Sequence, residues 1–187
     1  MNKVEIKIIR KSFLNFLKSD EPFYEFSVGS DLKIRNKISF KVLFPGIHRT
    51  VFYLRHIISR TAQFIDYSPI KILIYKLIGF NIGKGVFISP DVILDSQFPK
   101  LIEIGDYVVL GWGAKIFVHD FNGITYRIGR VKIGAGSIIG GFSFIRAGVF
   151  IEDNSLVKLG SIIFDNKNPN VIKQQKTEEI INNLEQR

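Results

Sequence analysis

An aliphatic residue recurs at every sixth position through much of the second half of the chain, and this period constrains the fold more than any other feature. The repeated positions are Ile82, Ile88, Leu94, Ile104, Leu110, Ile116, Ile133, Ile139, Ile145, Ile151, Val157 and Ile163. Small or β-branched residues often follow four positions later, and 13 of the 16 glycines lie between Gly83 and Gly160. This hexapeptide repeat predicts a parallel β-helix, in which three hexapeptides close one triangular coil around the aliphatic side chains. An ordinary sandwich of short strands would instead show period-two alternation and irregular spacing.

The six-residue register breaks twice. Between Leu94 and Ile104 the step is ten, so four extra residues around 96–99 must loop out of a corner. Between Ile116 and Ile133 the step is 17, and this segment holds the only histidine of the repeat region, His119. Because loops that protrude from a rigid scaffold commonly carry function, both breaks are candidate functional segments.

The pattern divides the chain into a basic, partly helical region over 1–81, the β-helix over 82–165, and a loop with a short helix over 166–187. Within the first region, residues 4–18 have helical spacing and residues 32–42 alternate as a strand does, before Pro45-Gly46 breaks the chain. Helical spacing returns over 50–66, and Pro69 opens a second short helix that ends near Gly79.

The chain has no cysteine, which excludes disulfides, thiolate metal sites and cysteine nucleophiles. Its longest apolar stretch, 70–82, contains two lysines and is too short to span a bilayer. The amino terminus interleaves charges with apolar residues, unlike a signal peptide. We therefore expect a cytoplasmic protein.

Positive charge is concentrated in the first region. The chain has 26 Lys and Arg against 17 Asp and Glu, a formal charge of +9. Residues 1–81 hold 14 basic against 6 acidic residues, 82–166 hold 8 of each, and 167–187 hold 4 against 3. No nucleic-acid-binding module is recognisable, so we expect no nucleic-acid partner. A basic arm rich in Phe and Ile instead predicts contact with an anionic membrane surface at its inner face, the alternative being solvated helices packed on the oligomer.

Residues 82–163 resemble the hexapeptide-repeat acyltransferases, on the runs VILDS, LIEIGDYVVLGWGAKIFVHD and VKIGAGSIIGGFSFIRAGVFIEDNSLVKLGSII. The likeness is to the sugar O-acetyltransferases that modify maltose, galactosides and polysaccharides such as colanic acid; the helical lead-in ending YKLIGFNIG is also similar to the polysaccharide-modifying members. The resemblance implies a left-handed parallel β-helix, a symmetric homotrimer, acetyl-CoA as acyl donor, a sugar or lipid-linked glycan as acceptor, and no metal.

By this resemblance His119 is the general base that takes the proton of a sugar hydroxyl. An imidazole ionises near neutral pH and therefore suits this role, whereas the alternative is a surface histidine capping a turn. Asp95 lies thirteen residues after Ile82, as Phe117 does after Ile104, so Asp95 should lie one coil below Phe117 and near His119. The resemblance makes Asp95 an acceptor contact, the alternative being a solvated corner carboxylate. Asp120 is a second candidate for substrate binding, but strand neighbours point to opposite faces and it should not orient the imidazole.

The resemblance also places acetyl-CoA beside Gly141, Phe142 and Ser143, with a backbone N–H group there facing the thioester. Alternatively, these three residues only form a turn of the coil and contact no ligand. Arg146 and Lys158 should project outward from the late coils, where either could meet a phosphate or merely be solvated.

The end of the repeat departs from the family pattern. A Thr-Lys pair and an AGNPAK-like loop usually help to cover the nucleotide, whereas this chain has Phe164-Asp165 and then NKNPNVIK. Lys173 and Lys176 are the candidates to replace those contacts.

Four other functions compete with sugar O-acetylation. A γ-class carbonic anhydrase needs three zinc-binding histidines, and His48 and His56 lie outside the repeats. Serine acetyltransferases have a longer helical amino-terminal domain and a different histidine setting. N-acetylation of an amino sugar and a catalytically silent β-helix scaffold both stay open.

Overall fold

The computed structural model describes residues 3–27, 49–166 and 170–173. Its helices are α1 (Lys3–Lys18), α2 (Arg49–Ala62) and α3 (Ser68–Leu77), and Pro99–Leu101 form a 3₁₀ turn. All three helices were predicted, although α2 ends before Asp66 and α3 before Gly79. The predicted strand over 32–42, the break at Pro45-Gly46 and the carboxyl-terminal helix lie outside the described residues.

Short parallel strands build the predicted coils. The strands are β2 (Asn81–Ile82), β3 (Phe87–Ile88), β4 (Ile93–Leu94), β5 (Ile102–Ile104), β6 (Val109–Leu110), β7 (Lys115–Ile116), β10 (Val131–Ile133), β11 (Ile138–Ile139), β12 (Phe144–Ile145), β13 (Phe150–Ile151), β14 (Ser155–Val157) and β15 (Ile162–Ile163). They pair in three sheets, β2-β5-β10-β13, β3-β6-β11-β14 and β4-β7-β12-β15, and thus stack four coils. The fold is the expected left-handed parallel β-helix of hexapeptide repeats.

The repeat register places equivalent aliphatic side chains above one another. Ile82 pairs with Ile104 and Ile104 with Ile133, one coil apart each time. Each of the twelve aliphatic repeat residues is at most 5% exposed. Burial of an Ile or Leu side chain contributes about 1.5–3 kcal/mol, so this column is the main source of stability.

Small polar residues at the corners bond to the next coil. The hydroxyl of Ser137 donates to the carbonyl of Glu152 (2.8 Å) and accepts from the N–H of Ser155 (3.1 Å). Because both bonds stay within the stack, a buried hydroxyl is tolerated there.

Helices α2 and α3 cover the open edge of the first coil. Ser68 accepts from the N–H of Ile88 (2.9 Å), and the amine of Lys71 donates to the carbonyl of Ser89 (2.9 Å). From α2, the hydroxyl of Ser59 donates to the carbonyl of Leu94 (3.5 Å). These side chains satisfy backbone groups that a terminal coil would otherwise leave without a protein partner. At the opposite end, β16 (Val171–Lys173) pairs antiparallel with β14.

The second register break folds as an antiparallel sheet. β8 (His119–Phe121) and β9 (Thr125–Gly129) form a hairpin, and β1 (Phe23–Ser27) from the amino-terminal region pairs with the other edge of β9. Helix α1 packs beside this sheet, and Arg130 donates to the carbonyls of Phe16 and Leu17 (3.2 Å each) at its carboxyl end. A cation is favourable there because the last carbonyls of a helix carry partial negative charge. The amino-terminal region therefore supplies part of the structure around His119.

Candidate active site

The first register break positions Asp95 at the corner after β4. Its N–H donates to the carbonyl of Ile116 (3.0 Å), so Asp95 lies one coil below Phe117 as the spacing predicts. Its carboxylate is only 3% exposed and accepts from the N–H groups of Gln97 (3.0 Å) and Val118 (3.2 Å). The predicted proximity to His119 is confirmed, and the carboxylate lies in the protein interior rather than at a solvated corner.

His119 begins the hairpin directly after the second coil. Its Nδ1 atom donates to Oδ2 of Asp95, and its side chain remains 21% exposed. An ionised carboxylate can only accept, so this bond fixes the proton on Nδ1 and leaves Nε2 with a free lone pair in the neutral ring. Among the described residues no hydrogen-bond partner is assigned to Nε2. The pair has the arrangement of a base held in its proton-accepting tautomer.

Aromatic rings enclose the imidazole. The ring of Tyr126 stacks on His119 with centroids 5.8 Å apart and planes at 16°, while Phe98 and Phe117 meet it edge-on at 6.4 and 6.5 Å. The hydroxyl of Tyr126 donates to Oε1 of Gln97 (3.5 Å). These contacts restrict rotation of the imidazole and exclude water from its sides.

Tyr126 is the link between this enclosure and the amino-terminal region. Its ring lies 5.6 Å from that of Phe26 on β1, and Phe26 in turn lies 5.6 Å from Tyr24. Tyr126, Phe98 and Gln97 were not among the predicted site residues. The hexapeptide period does not mark them, because they occupy the two insertions.

Asp120 points away from the imidazole, as strand alternation predicts. Its two carboxylate oxygens accept from Nε (2.5 Å) and Nη2 (3.2 Å) of Arg146, in the forked geometry typical of Arg–carboxylate pairs. This hydrogen bond raises the pKa of Arg146. The pair ties the start of the hairpin to the third coil.

The guanidinium of Arg146 is therefore already paired with the carboxylate of Asp120. Its guanidinium also lies 5.8 Å from the ring of Phe164. A coenzyme phosphate could bind Arg146 only by sharing or breaking the pair with Asp120. The predicted roles of both residues stay predictions.

Gly141, Phe142 and Ser143 form the corner between β11 and β12. The N–H of Phe142 donates to the carbonyl of Trp112 (2.7 Å), and that of Ser143 to the carbonyl of Gly140 (3.3 Å). Of the three amides, only that of Gly141 has no acceptor assigned among the described residues. The N–H group of Gly141 is therefore the one of the three that is available to face a thioester. That role stays a prediction.

An exposed aromatic pair borders this corner and was not anticipated. The rings of Trp112 and Phe142 lie 6.2 Å apart, and both side chains are more than half exposed. Nε1 of Trp112 donates to Oδ2 of Asp91 (2.7 Å). Phe142 has φ of +56°, and corner residues of other coils such as Asp91 and Tyr107 have φ of 58°, so this left-handed conformation belongs to the corners of the repeat. The Gly-Trp-Gly run was the available sequence signal.

The remaining predicted coenzyme contacts lie at the last coil. Lys158 is exposed, as expected for an outward-pointing residue, and its N–H donates to the carbonyl of Asn170 (3.0 Å). Lys173 pairs through its backbone with Ser155, and Lys176 lies outside the described residues. Among the residues that the structure describes, no group of three or more His, Asp and Glu could hold a metal ion. None of the described helices is long and apolar enough to cross a membrane.

No profile of a known protein family matches the chain. The chain is 28% identical over 122 residues to the protein named Putative acetyltransferase YvoF of Bacillus subtilis, covering 63% of this chain and 71% of that one. It is 36% identical over 108 residues to proteins named Putative acetyltransferase in Staphylococcus aureus strains MSSA476 and N315, covering 57% of this chain and 67% of theirs.

A crystal structure described as a maltose O-acetyltransferase from Clostridium difficile 630 aligns with 68% of this chain and 88% of its own, with a TM-score of 0.46 and 21% identity. The assignment of family does not depend on this weak match. It depends on the identity to the staphylococcal proteins over two thirds of their length and on the four-coil hexapeptide fold. The chain therefore belongs to the acetyltransferase family of the hexapeptide-repeat type.

Proposed function

We propose that this protein transfers an acetyl group from acetyl-CoA to a hydroxyl of a sugar, in the synthesis of a surface polysaccharide, with His119 as general base. The observation that supports this most strongly is the bond between His119 Nδ1 and the buried carboxylate of Asp95. It leaves Nε2 able to accept a proton beside a hairpin that projects from a rigid scaffold. The names of the acetyltransferase relatives are consistent with this chemistry.

The reaction that this geometry supports is direct acyl transfer. Nε2 of His119 takes the hydroxyl proton while the sugar oxygen attacks the thioester carbonyl carbon and forms the new C–O bond. The resulting oxyanion collapses, the C–S bond breaks, and the imidazolium returns the proton to the departing coenzyme A thiolate. The products are the O-acetylated sugar and the free thiol of coenzyme A, and the imidazole is neutral again.

Asp95 acts here through His119 rather than on the acceptor. Both of its carboxylate oxygens already accept bonds from the protein. It holds the imidazole in the required tautomer and stabilises the imidazolium that forms during transfer. We therefore assign Asp95 as a positioning residue in place of the acceptor contact that resemblance implied.

The oxyanion needs a rigid donor, and the N–H of Gly141 is the candidate at the β11–β12 corner. Lys158 follows β14, the strand that pairs with β11, and is exposed. It remains the first candidate to bind a phosphate of the coenzyme, and Lys173 is the second. A homotrimer, with donor groups of one subunit next to the base of another, is part of this proposal. Light scattering on the purified protein tests it.

The decisive experiment compares His119→Ala with wild type on candidate glycans and acetyl-CoA, followed by mass spectrometry. We expect the variant to lose transfer by about 10²–10⁴-fold, the usual contribution of general base catalysis, while calorimetry shows unchanged acetyl-CoA binding. The matched control is His56→Ala, because His56 lies exposed on α2 and its Nδ1 bonds to the Ser96 hydroxyl (3.3 Å). Undiminished turnover by His119→Ala would reject the assignment.

The same experiment separates the two other readings. O-acetyl esters are cleaved by mild hydroxylamine whereas N-acetyl amides are not, so treatment of the product distinguishes sugar hydroxyl from amino-sugar acceptors. A catalytically silent scaffold would bind no acetyl-CoA in the calorimeter. The expected result is binding, and a hydroxylamine-labile product.

A further inference from the structure

Helices α2 and α3 cap the first coil with one face only. Besides the bonds of Ser59, Ser68 and Lys71, the hydroxyl of Tyr75 donates to the carbonyl of Val92 (3.5 Å). All four side chains are buried against the edge of the coil. Because both helices use these faces to cover the same coil edge, their opposite faces point away from the β-helix.

That outward side is apolar. We define the basal face as Tyr53, Leu54, Ile57, Phe64, Tyr67, Ile70, Leu73 and Leu77. Each of the eight is between 49% and 78% exposed. On α2, Tyr53 and Leu54 lie four and three residues before Ile57, and on α3, Ile70, Leu73 and Leu77 are three and four residues apart, so each helix carries one apolar stripe. Phe64 and Tyr67 lie in the connection between the two helices. The end caps of repeat proteins normally need a polar outer face for solubility, and this cap has the reverse.

Basic residues accompany this surface. Residues 49–81 contain five Lys and Arg and a single acidic residue, Asp66. Lys71 is buried in the contact with the first coil, while Arg60 and Lys76 are exposed on the helices that carry the stripes. Two copies of this surface would bring like charges together, whereas an anionic lipid surface would attract them.

We propose that the basal face binds the surface of a bilayer that contains anionic lipids. The apolar side chains enter the boundary between head groups and acyl chains, Tyr53 and Tyr67 lie at the head-group level, and Arg60 and Lys76 meet lipid phosphates. The coils then stack away from the bilayer. This locates on α2 and α3 the membrane contact that composition had assigned broadly to the basic region.

The placement keeps the candidate site near the lipid. His119 follows the second coil, about 5 Å above the first, and one helix layer about 10 Å thick separates the first coil from the basal face. A base on the order of 15 Å from the bilayer surface suits an acceptor sugar carried on a lipid. Membrane binding is independent of the proposed acetyl transfer and is tested separately from it.

The test is sedimentation of the full-length protein with vesicles of phosphatidylcholine, with and without phosphatidylglycerol, at low and high salt. Wild type is expected to bind only the anionic vesicles, and salt should weaken binding. The double variant Leu73→Ser/Leu77→Ser should bind at least about tenfold more weakly, because it removes apolar groups from the membrane boundary. Arg60→Glu/Lys76→Glu should bind at least about 25-fold more weakly.

Matched controls lie elsewhere on the surface. Ile162→Ser replaces a half-exposed residue of the fourth coil, and Lys115→Glu reverses an exposed charge on the second. Both controls should bind anionic vesicles as wild type does. Acetyl transfer to a soluble acceptor should be the same in all variants, so that a failure of binding and a failure of activity are told apart.

Three results would overturn the proposal. The first is absence of binding to anionic vesicles at low salt, or binding that the four substitutions leave unchanged. The second is dissociation of a wild-type oligomer by Leu73→Ser/Leu77→Ser, which would make the basal face an interface between copies. The third is a fall in melting temperature of several degrees in that variant, which would mean that the face is covered within its own chain.

Discussion

The β-helix and the amino-terminal region obtain their order from different sources. In the β-helix every coil repeats the same six-residue pattern, its charge over 82–166 is balanced, and its interior is a column of branched aliphatics. The amino-terminal region has an excess of eight positive charges and no repeat; α1 and β1 pack through Phe rings against the insertions, and α2 and α3 cover the edge of the first coil. One region is a scaffold that its own period specifies, and the other packs where that period breaks or begins.

This division also separates two parts of the candidate site. Asp95 and His119 are both held by the β-helix, one at a corner of the first coil and the other just after the second. The ring that stacks on the imidazole, that of Tyr126, belongs to the hairpin, and β1 pairs with the outer strand of that hairpin. The scaffold thus sets the proton-accepting pair, while the amino-terminal region shapes its surroundings. Four substitutions test this separation.

The largest expected effect belongs to the pair itself. Asp95→Asn keeps the size of the side chain but presents an amide to Nδ1, so the imidazole loses its preference for the proton-accepting tautomer. We expect kcat to fall on the order of 10³-fold, with acetyl-CoA binding unchanged by calorimetry. Asp106→Asn is the control, since Asp106 is a corner aspartate that accepts from the N–H of Lys84 (2.9 Å). Wild-type turnover in Asp95→Asn would show that the carboxylate is not used.

The second test concerns the scaffold. Ile139 is fully buried in the third coil, between Leu110 and Val157 on the neighbouring coils. Ile139→Ala should lower the free energy of unfolding by about 2–5 kcal/mol, because a cavity remains in a stack with little room to relax. Denaturant titration measures this change, and turnover well below the melting temperature should be retained. Ile162→Ala, at a half-exposed position, should change stability by less than about 0.5 kcal/mol.

The same contrast explains what could be predicted from the sequence. The fold, the four coils and the proximity of Asp95 to His119 follow from the six-residue period of the aliphatic residues, because each coil has the same pattern as the one before it. The pairing of β1 with β9 joins residues about 100 positions apart in the sequence. The hairpin and the stacking of Tyr126 on His119 lie within a segment that has no six-residue period. The engagement of Arg146 by Asp120 was missed for a related reason, since the repeat indicates which way a side chain points but not its partner.

The third test asks whether the amino-terminal region acts on the site. Phe26→Leu removes the ring that contacts Tyr126 and keeps the position apolar. Aromatic pairs contribute about 0.5–1.5 kcal/mol, so we expect kcat/KM to fall about threefold to tenfold as Tyr126 loosens against His119. Hydrogen exchange should increase over 119–129 and stay unchanged over 133–163.

Its control is Phe87→Leu, at a half-exposed strand position of the first coil. That variant should match wild type in both measurements. Uniformly faster exchange through the coils of Phe26→Leu would contradict the division, because the two regions would then unfold as one unit.

The smallest expected effect concerns the contact between the regions, where burial lowers the pKa of the Lys71 amine and the charges of Asp66 and Asp91 partly oppose that shift. A folded-state pKa below the unfolded value means that the unfolded chain binds more protons between the two values. The free energy of unfolding therefore increases as pH rises from the folded-state pKa of Lys71 towards the unfolded value of 10.5, and it decreases as pH falls through the same range. Lys71→Met keeps the apolar stem and removes the titration, so the difference in stability between variant and wild type should change in favour of wild type as pH rises. Denaturant titrations at several alkaline pH values measure it, and a pH-independent difference would mean that the amine has the same proton affinity in both states.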